Sequence, residues 1–393
     1  MNHNEESKIV LKNERFSRFD EIEWWDQSLL KNARILVIGA GAIGNEVLKN
    51  LALLGVGNII IVDMDKIELS NLNRSVLFRE NDNGKFKADC ALKSYKQIYP
   101  EAWGIAINGN VMTDVGLGYF RWSHAVIGAL DNREARVFVN KVCAQVNRPW
   151  IDGGIDVLNG IVRGFWPPKT SCYECTMSQM DWKLLNNRRS CSLLAKRAIK
   201  NNGVPTTPTI ASIIGAIQAQ ELVKLLHNKE ALMGRGYFYN GESHDSYTIV
   251  HPINPSCRWH EIPAPIKVFP SLNSKNSIQE LWDEAAKILN RVDAIDLNRE
   301  FVRELRCPSC QQVKVVFQVA DKIPHDSLIC EKCDVEYSPD FYHSILPEEN
   351  IMDKRIEELG LPPWDIVWAR HEDQYIGLEI SGDCPAEYPD DLK

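Results

Sequence analysis

The sequence predicts an α/β protein built on a doubly wound, mostly parallel sheet, with a smaller unit at its C-terminal end. Three observations carry this expectation. Short β-branched runs alternate with amphipathic helical stretches from Arg34 to Asp152. The first run, Ile35-Leu36-Val37-Ile38, enters a turn holding Gly39, Gly41 and Gly44, and the second, Ile59-Ile60-Ile61-Val62, ends on Asp63. Beyond Pro263, Pro265 and Pro270 the alternation stops, and cysteines recur at Cys-x-x-Cys spacing.

Each element follows from its own residues. Residues 1–33 read as a helical segment of the first domain, with Trp24 and Trp25 as packing anchors. Val47, Leu48, Leu51 and Leu54 form the apolar stripe of a helix starting near Ala42. Strand, glycine turn, helix and second strand together make a Rossmann-like βαβ unit. Gly84-Lys85-Phe86-Lys87 opens a helix to about Tyr99, and Trp103–Ile107 reads as a strand. Ala125–Leu130 is a buried-strand run ending at Asp131-Asn132. A helix over 133–146 and a strand starting at Trp150 follow, then strand-like segments over 153–168 and a long helix from Thr209 to Leu226. Residues 237–251 are strand-rich. The expected division is a domain over 34–262, preceded by its segment 1–33, and a C-terminal domain over 266–393 containing a cysteine module at 307–333. That domain is expected to hold a helix near Ile278–Leu289 and a strand-like end at Trp364–Ile380.

The bulk properties narrow the partners. The chain has 393 residues, 44% hydrophobic and 25% charged, with a net charge of −8, so no general attraction to nucleic acid or an anionic membrane is expected. The longest apolar runs are strand-sized, which predicts no membrane-spanning helix. The polar N-terminus lacks the apolar core of a signal peptide, and the cytoplasm is the expected compartment. Eleven cysteines, seven of them in Cys-x-x-Cys pairs or a Cys-x-x-His, point to metal more than to disulfides.

The glycine turn suits a phosphate. Gly39, Gly41 and Gly44 let the backbone approach it, and the following helix N-terminus offers N–H groups and a positive dipole end. Asp63, 19 residues after Gly44, suits a ribose contact. Alone, this fingerprint fits NAD or FAD. Asn71, Arg74 and Lys87 add two cations and an amide beyond the strand ends, which favours ATP, and Asp131 is placed to hold Mg²⁺ against phosphate oxygens. The alternatives are ion pairing for Arg74 and Lys87 and an N-cap role for Asp131. No Gly-x-x-x-x-Gly-Lys-Ser/Thr loop is present.

Taken together, Arg15-Phe-Ser-Arg18, Gly39-Ala-Gly41-Ala-Ile-Gly44, Asp63-Met-Asp65, Ser70-Asn-Leu-Asn-Arg-Ser75 and Gly84-Lys-Phe-Lys87 form an ordered series. Leu130-Asp131-Asn132, Cys172-Tyr-Glu-Cys175, Pro205-Thr-Thr-Pro and Gly215-Ala-Ile-Gln218-Ala-Gln-Glu221 continue it. Over about residues 14–262 the chain resembles the ubiquitin-activating and ThiF/MoeB-type adenylyltransferase superfamily. The resemblance implies adenylation of the C-terminal glycine of a ubiquitin-like protein with ATP and Mg²⁺. It assigns the ribose to Asp63, the phosphates to Asn71, Arg74 and Lys87, and Mg²⁺ to Asp131, with Asp65 and Asn132 in the same cofactor-binding motifs. Arg18 resembles an arginine that reaches the γ-phosphate of a partner subunit's site, which implies a symmetric homodimer. Ser75 departs from the family's usual Gln.

The family closes a zinc site with a pair following Asn-Pro-x-Cys. Asn254-Pro-Ser-Cys257 fits, so Cys172, Cys175, Cys257 and His260 form one implied Zn²⁺ set, with His260 where the family usually has cysteine. Separately, Cys307, Cys310, Cys330 and Cys333 have zinc-ribbon spacing, with 19 residues between the pairs. Cys191 lies in the segment where the family carries its thioester-forming cysteine, and Arg188 and Arg189 would favour its thiolate; the alternative is an unreactive thiol. Cys90 and Cys143 read as core thiols. The downstream options are transfer of the modifier to a conjugating enzyme, delivery of sulfur by a sulfurtransferase to an activated carrier, or a noncatalytic scaffold. The C-terminal domain is expected to dock the modifier or conjugating enzyme, or else to buttress the dimer.

Overall fold

The computed structural model describes residues 14–189, 205–347 and 350–385. Cys191 and its crossing segment lie outside the described residues, as do the side chains of Arg188 and Arg189.

The helical character expected before Arg34 is realised as 3-10 turns at Glu14–Phe16 and Phe19–Glu21 and a short helix, α1 (Gln27–Lys31). Trp25 packs on Phe19, with ring centroids 4.7 Å apart. Trp24 stays on the surface, edge-on to His227. The βαβ unit follows as β1 (Arg34–Ile38), α2 (Ala42–Leu54) and β2 (Asn58–Val62). Then come α3 (Lys87–Ile98), β3 (Trp103–Ile107), α4 (Leu117–Trp122), β4 (Ala125–Gly128) and α5 (Arg133–Gln145). Next are β5 (Trp150–Asp156), β6 (Asn159–Phe165), α6 (Gln179–Arg189) and α7 (Pro208–Leu226), and then β7 (Arg235–Tyr239) and β8 (Ser246–Val250).

The eight strands form one sheet in the order β3-β2-β1-β4-β5-β6-β7-β8. Pairing is parallel from β3 through β5 and antiparallel from β5 to β8. The apolar runs of β1 and β2 are continuous because both faces are covered. Ile35, Val37, Ile59 and Ile61 face α2, α3 and α7. Leu36, Ile38, Ile60 and Val62 face α4 and α5. The α7 helix spans 19 residues and is apolar enough by composition to cross a membrane, but it packs against α2 and β5 in this core.

The C-terminal residues form a second sheet. Its strands are β9 (Ile266–Phe269), β10 (Ala294–Arg306), β11 (Val313–Val319), β12 (Ser338–Ile345), β13 (Ile366–His371) and β14 (Gln374–Ile380). The order is β11-β10-β13-β14-β9, with β12 also on β10. One helix, α8 (Ile278–Leu289), is started by a Ser277–Glu280 capping box and buries Ile278, Leu281, Ala285 and Leu289 against this sheet.

The two sheets share a packed boundary. Trp364, Ile366 and Trp368 belong to the same apolar cluster as α4 and α5. Trp364 stacks edge-on to Tyr119 at 5.0 Å, and only glycine fits beneath it. A Cβ on Gly116 would lie 2.2 Å from the Pro363 carbonyl oxygen, and one on Gly118 would lie 2.5 Å from the indole ring.

Candidate nucleotide crevice and metal centre

The strand order reverses between β1 and β4, and the loops leaving these strands open a crevice at their C-terminal ends. Gly39, at φ +98°, makes the turn, and a Cβ there would meet the Ala129 carbonyl oxygen at 2.3 Å. A Cβ on Gly44 would lie 2.0 Å from the Gly39 carbonyl oxygen, so this glycine lets α2 pack onto its own loop. Gly41 caps α2 and differs from both: a Cβ there meets nothing within 4 Å. Its free face is where a ligand can approach the helix N-terminus.

Other predicted residues gather around this loop. The Asp63 carboxylate accepts from the Ala40 N–H at 2.7 Å and the Asp65 N–H at 2.8 Å, which fixes it at the end of β2. Burial pushes its carboxyl above the ordinary carboxylate range, against the opposing pull of Lys87 and the two N–H groups. Lys87, the first residue of α3, donates to Asp65 Oδ2 at 2.7 Å; the Lys87 side chain is 13% exposed and that of Asp65 56%, so the cation is held inward in an ion pair with a half-exposed partner. Arg74 donates to the Ser70 carbonyl and to Asn73 Oδ1, and Asn71 caps its own turn by accepting from the Glu68 N–H. Asp131 stands exposed just after β4. The N-cap alternative for Asp131 fails, because Asn132 caps α5 by accepting from the Ala135 N–H at 2.8 Å.

Arg18 is not brought to this crevice. Phe16, two residues earlier, packs against Gly55 at the far end of α2, about 20 Å from Gly41 at 1.5 Å rise per residue.

Four residues that composition and motif had not singled out complete the crevice. Buried Asn45 donates to the Ala40 and Gly41 carbonyls and accepts from the Leu77 N–H, tying the glycine loop to the segment bearing Asn71 and Arg74. Fully buried Asp152 accepts from Arg136 at 2.9 Å through one oxygen and from Arg163 at 2.5 Å through the other. Arg136 also donates to the Leu130 carbonyl, which steadies the Asp131 loop. No sequence pattern marks these residues, because each role depends on a partner distant along the chain. Arg136 and Arg163, with Asp131, Arg133, Tyr173 and Asp181, line a cavity of about 340 Å³ beside the crevice. Arg133 pairs with Asp181 of α6 at 3.0 Å across it.

The first cysteine set assembles at the rim of this cavity. Cys172 Sγ lies 3.7 Å from Cys175 Sγ and 3.5 Å from Cys257 Sγ, and His260 Nε2 lies 3.0 Å from Cys175 Sγ. All four donor atoms fall within 4.8 Å of one another. Three thiols and one imidazole at this separation suit tetrahedral zinc. Around them, the Asn254 N–H donates to Cys175 Sγ, and Trp259 Nε1 donates to Glu174 Oε1. Tyr173, between the two cysteines, lines the cavity, and its N–H donates to Asn140 Oδ1, so the knuckle is anchored on α5.

Comparison with known proteins places the chain in a family. The ThiF family matches residues 13–259, and the chain belongs to that family. It is 39% identical over 152 residues to the ubiquitin-activating enzyme E1-like protein of Saccharomyces cerevisiae, covering 38% of this chain and 24% of the relative. It is 41% identical over 144 residues to the SUMO-activating enzyme subunit uba-2 of Caenorhabditis elegans, covering 36% and 25%. It is 36% identical over 162 residues to the Nedd8-activating enzyme E1 catalytic subunit of Drosophila melanogaster, covering 38% and 36%. The match thus spans about a quarter to a third of these relatives. The fold is similar to that of E. coli MccB, at 24% identity and a TM-score of 0.52 over 64% of this chain and 75% of the other.

Proposed function

We propose that the chain adenylates the C-terminal glycine of a ubiquitin-like protein. The observation that carries the reading is the open face of Gly41 at the α2 N-terminus, with Asp63 bonded to the neighbouring Ala40 N–H, Lys87 paired with Asp65, and Asn45 tying the glycine loop to the segment that follows Arg74. Membership of the ThiF family supports it, as does similarity to activating-enzyme subunits.

The chemistry follows from charge. A carboxylate oxygen attacks the α-phosphorus of ATP, the bond to the bridging oxygen of the β-phosphate breaks, and pyrophosphate leaves. Both reactants are anionic, so the barrier falls through alignment and positive charge more than through a general base. Asp63 holds the ribose, and the α2 N-terminus faces the phosphates. Asn71, Arg74 and Lys87 contact phosphate oxygens, Lys87 exchanging its Asp65 partner for them. Asp65 holds Lys87 until ATP takes its place, and Asn132 caps the α5 terminus. Asp131 would hold Mg²⁺, whose charge would screen the phosphates. The position of Arg18 at the far end of α2 agrees with a role in a second copy's site, in a homodimer. Cys172, Cys175, Cys257 and His260 would hold a structural Zn²⁺ that stiffens the cavity wall.

The second step is thioester formation. The Cys191 thiolate attacks the acyl carbon, the bond to the adenylate oxygen breaks, and AMP leaves. The modifier then passes to a conjugating enzyme. The test is incubation with ATP, Mg²⁺ and ubiquitin-like proteins ending in glycine, read by denaturing mass spectrometry. A reducible adduct that disappears in Cys191→Ala is expected. Acyl-adenylate without an adduct would overturn the thioester step and favour sulfur-carrier activation, and no adenylate with any of them would overturn the whole reading.

A further inference from the structure

The second cysteine cluster lies outside residues 13–259, the region matched by the family. Cys307 follows the last residue of β10, and Cys330 precedes β12. The four thiols of Cys307, Cys310, Cys330 and Cys333 lie within 4.8 Å of one another, with Cys310 Sγ and Cys330 Sγ 3.8 Å apart.

The backbone around them repeats. The Cys307 N–H donates to the Gln312 carbonyl at 2.9 Å, and the Gln311 N–H returns to the Cys307 carbonyl at 3.0 Å. In the second pair the Cys330 N–H donates to the Val335 carbonyl at 2.9 Å, and the Asp334 N–H returns to the Cys330 carbonyl at 2.8 Å. Gln311 and Asp334 occupy the same place after each pair, and both are left-handed, at φ +58° and +52°. Two stretches of unrelated sequence thus adopt one turn, and each turn aims two sulfurs at the same point. Left-handed non-glycine residues cost free energy unless the surroundings hold them. The cysteine N–H and carbonyl bonds that close both turns are what a fixed pair of sulfurs requires.

Packing points the same way. This end of the molecule has its own small cluster, made of Val302, Leu305, Cys307, Ala320, Ile323, Leu328, Cys330 and Tyr337, separate from the cluster beneath α8. Two of its members are the cysteines themselves. A core this small cannot offset the ordering of the turns and of the strand ends they join. Cys310 is exposed, which leaves a thiol open to oxidation unless it is bound.

We propose that Cys307, Cys310, Cys330 and Cys333 form a tetrathiolate zinc site, separate from the first cysteine set, whose metal binding supplies the folding free energy of the β10–β11–β12 end of the second sheet. Zn²⁺ takes four cysteine sulfurs in tetrahedral array, and binding releases the four thiol protons to solvent. A site of this kind is closed, with no position for substrate. Its role is to hold β11 and β12 on either side of β10. The proposal stands independently of the nucleotide reading.

The test uses the full chain, purified with zinc and analysed for metal by mass spectrometry. Two zinc ions per chain are expected, falling to one in Cys310→Ser and to one in Cys257→Ser. A variant lacking Cys310 that keeps two ions would overturn the site, as would iron in place of zinc there. Should the variants fail to fold, the wild-type protein decides the matter by thiol alkylation with and without a strong chelator. Protection of Cys310 and Cys333 that is lost with the metal, together with new protease cleavage between 307 and 345, is the expected result. Alkylation of both thiols at the same rate in the metal-loaded and stripped protein would contradict it.

Discussion

Arg299 and Asp365 form an ion pair buried at the boundary between the two sheets. Arg299, on β10, is 5% exposed, and Asp365, just before β13, is 1% exposed. Arg299 also donates to the Met112 carbonyl at 3.0 Å and the Val115 carbonyl at 2.7 Å, and Asp365 accepts from the Leu117 N–H at 3.0 Å. Met112 and Val115 lie on the loop joining β3 to α4, and Leu117 is the first residue of α4. That loop leaves the crevice end of the first sheet, so the C-terminal residues brace a wall of the nucleotide crevice. Removing one partner strands a buried charge. Asp365→Ala is expected to lose about 3–5 kcal/mol of stability in urea denaturation. A loss below about 0.5 kcal/mol would mean the pair is not holding the boundary.

The same boundary makes a prediction about truncation. Ending the chain after Pro265 would uncover Tyr119 and the glycines beneath Trp364. The shortened protein is expected to melt well below the full chain in calorimetry and to bind a hydrophobic dye. An unchanged melting temperature would show that the first sheet is self-sufficient. A milder form is Trp364→Ala, with an expected cost of about 3–5 kcal/mol.

The three glycines of the loop separate folding from binding. Gly44→Ala drives a methyl into the Gly39 carbonyl, and lower stability is expected. Gly41→Ala meets open space at an ordinary φ of −73°, so its melting temperature is expected to stay within a degree or two of wild type while ATP binding weakens at least tenfold. Equal loss of stability in both variants would contradict the assignment of Gly41 to the ligand face.

Asp63 gives a pH signature of definite sign. Its carboxyl titrates above the ordinary carboxylate value because it is buried. The folded state therefore holds this proton more tightly than the unfolded chain does. The stabilisation from Asp63 is fully present below the unfolded value and is lost as pH rises through the raised folded value. Melting temperatures of the wild type relative to Asp63→Asn should accordingly fall as pH rises across the carboxylate range and level off above it. A flat difference, or one of opposite slope, would contradict the burial argument.

Much of the fold was legible because it rests on local rules. Continuous apolar runs marked β1, β2 and β4 as buried parallel strands, and the glycine spacing marked the turn after β1. Both cysteine sets were legible as pairs, since spacing survives folding. Tertiary relationships were not. Asn45, Arg136, Asp152 and Arg163 are unremarkable in sequence, and their roles arise from partners up to 32 residues away. Lys87 reads equally as a surface cation until Asp65 is seen beside it. The boundary held by Arg299 and Trp364 was invisible, because prolines at 263, 265 and 270 signal a change of direction and say nothing of how the chain packs back.

Pyrophosphate exchange is the most direct measure of carboxylate activation in this crevice. Labelled pyrophosphate should enter ATP when the protein is supplied with Mg²⁺ and its glycine-ending ubiquitin-like partner. Cys191→Ala should exchange like the wild type, because the first step does not use the thiol. Asp131→Ala and Lys87→Ala should lose exchange at least a hundredfold while keeping wild-type melting curves. Exchange that survives both substitutions, or that is absent from the wild type with every glycine-ending partner supplied, would contradict the account.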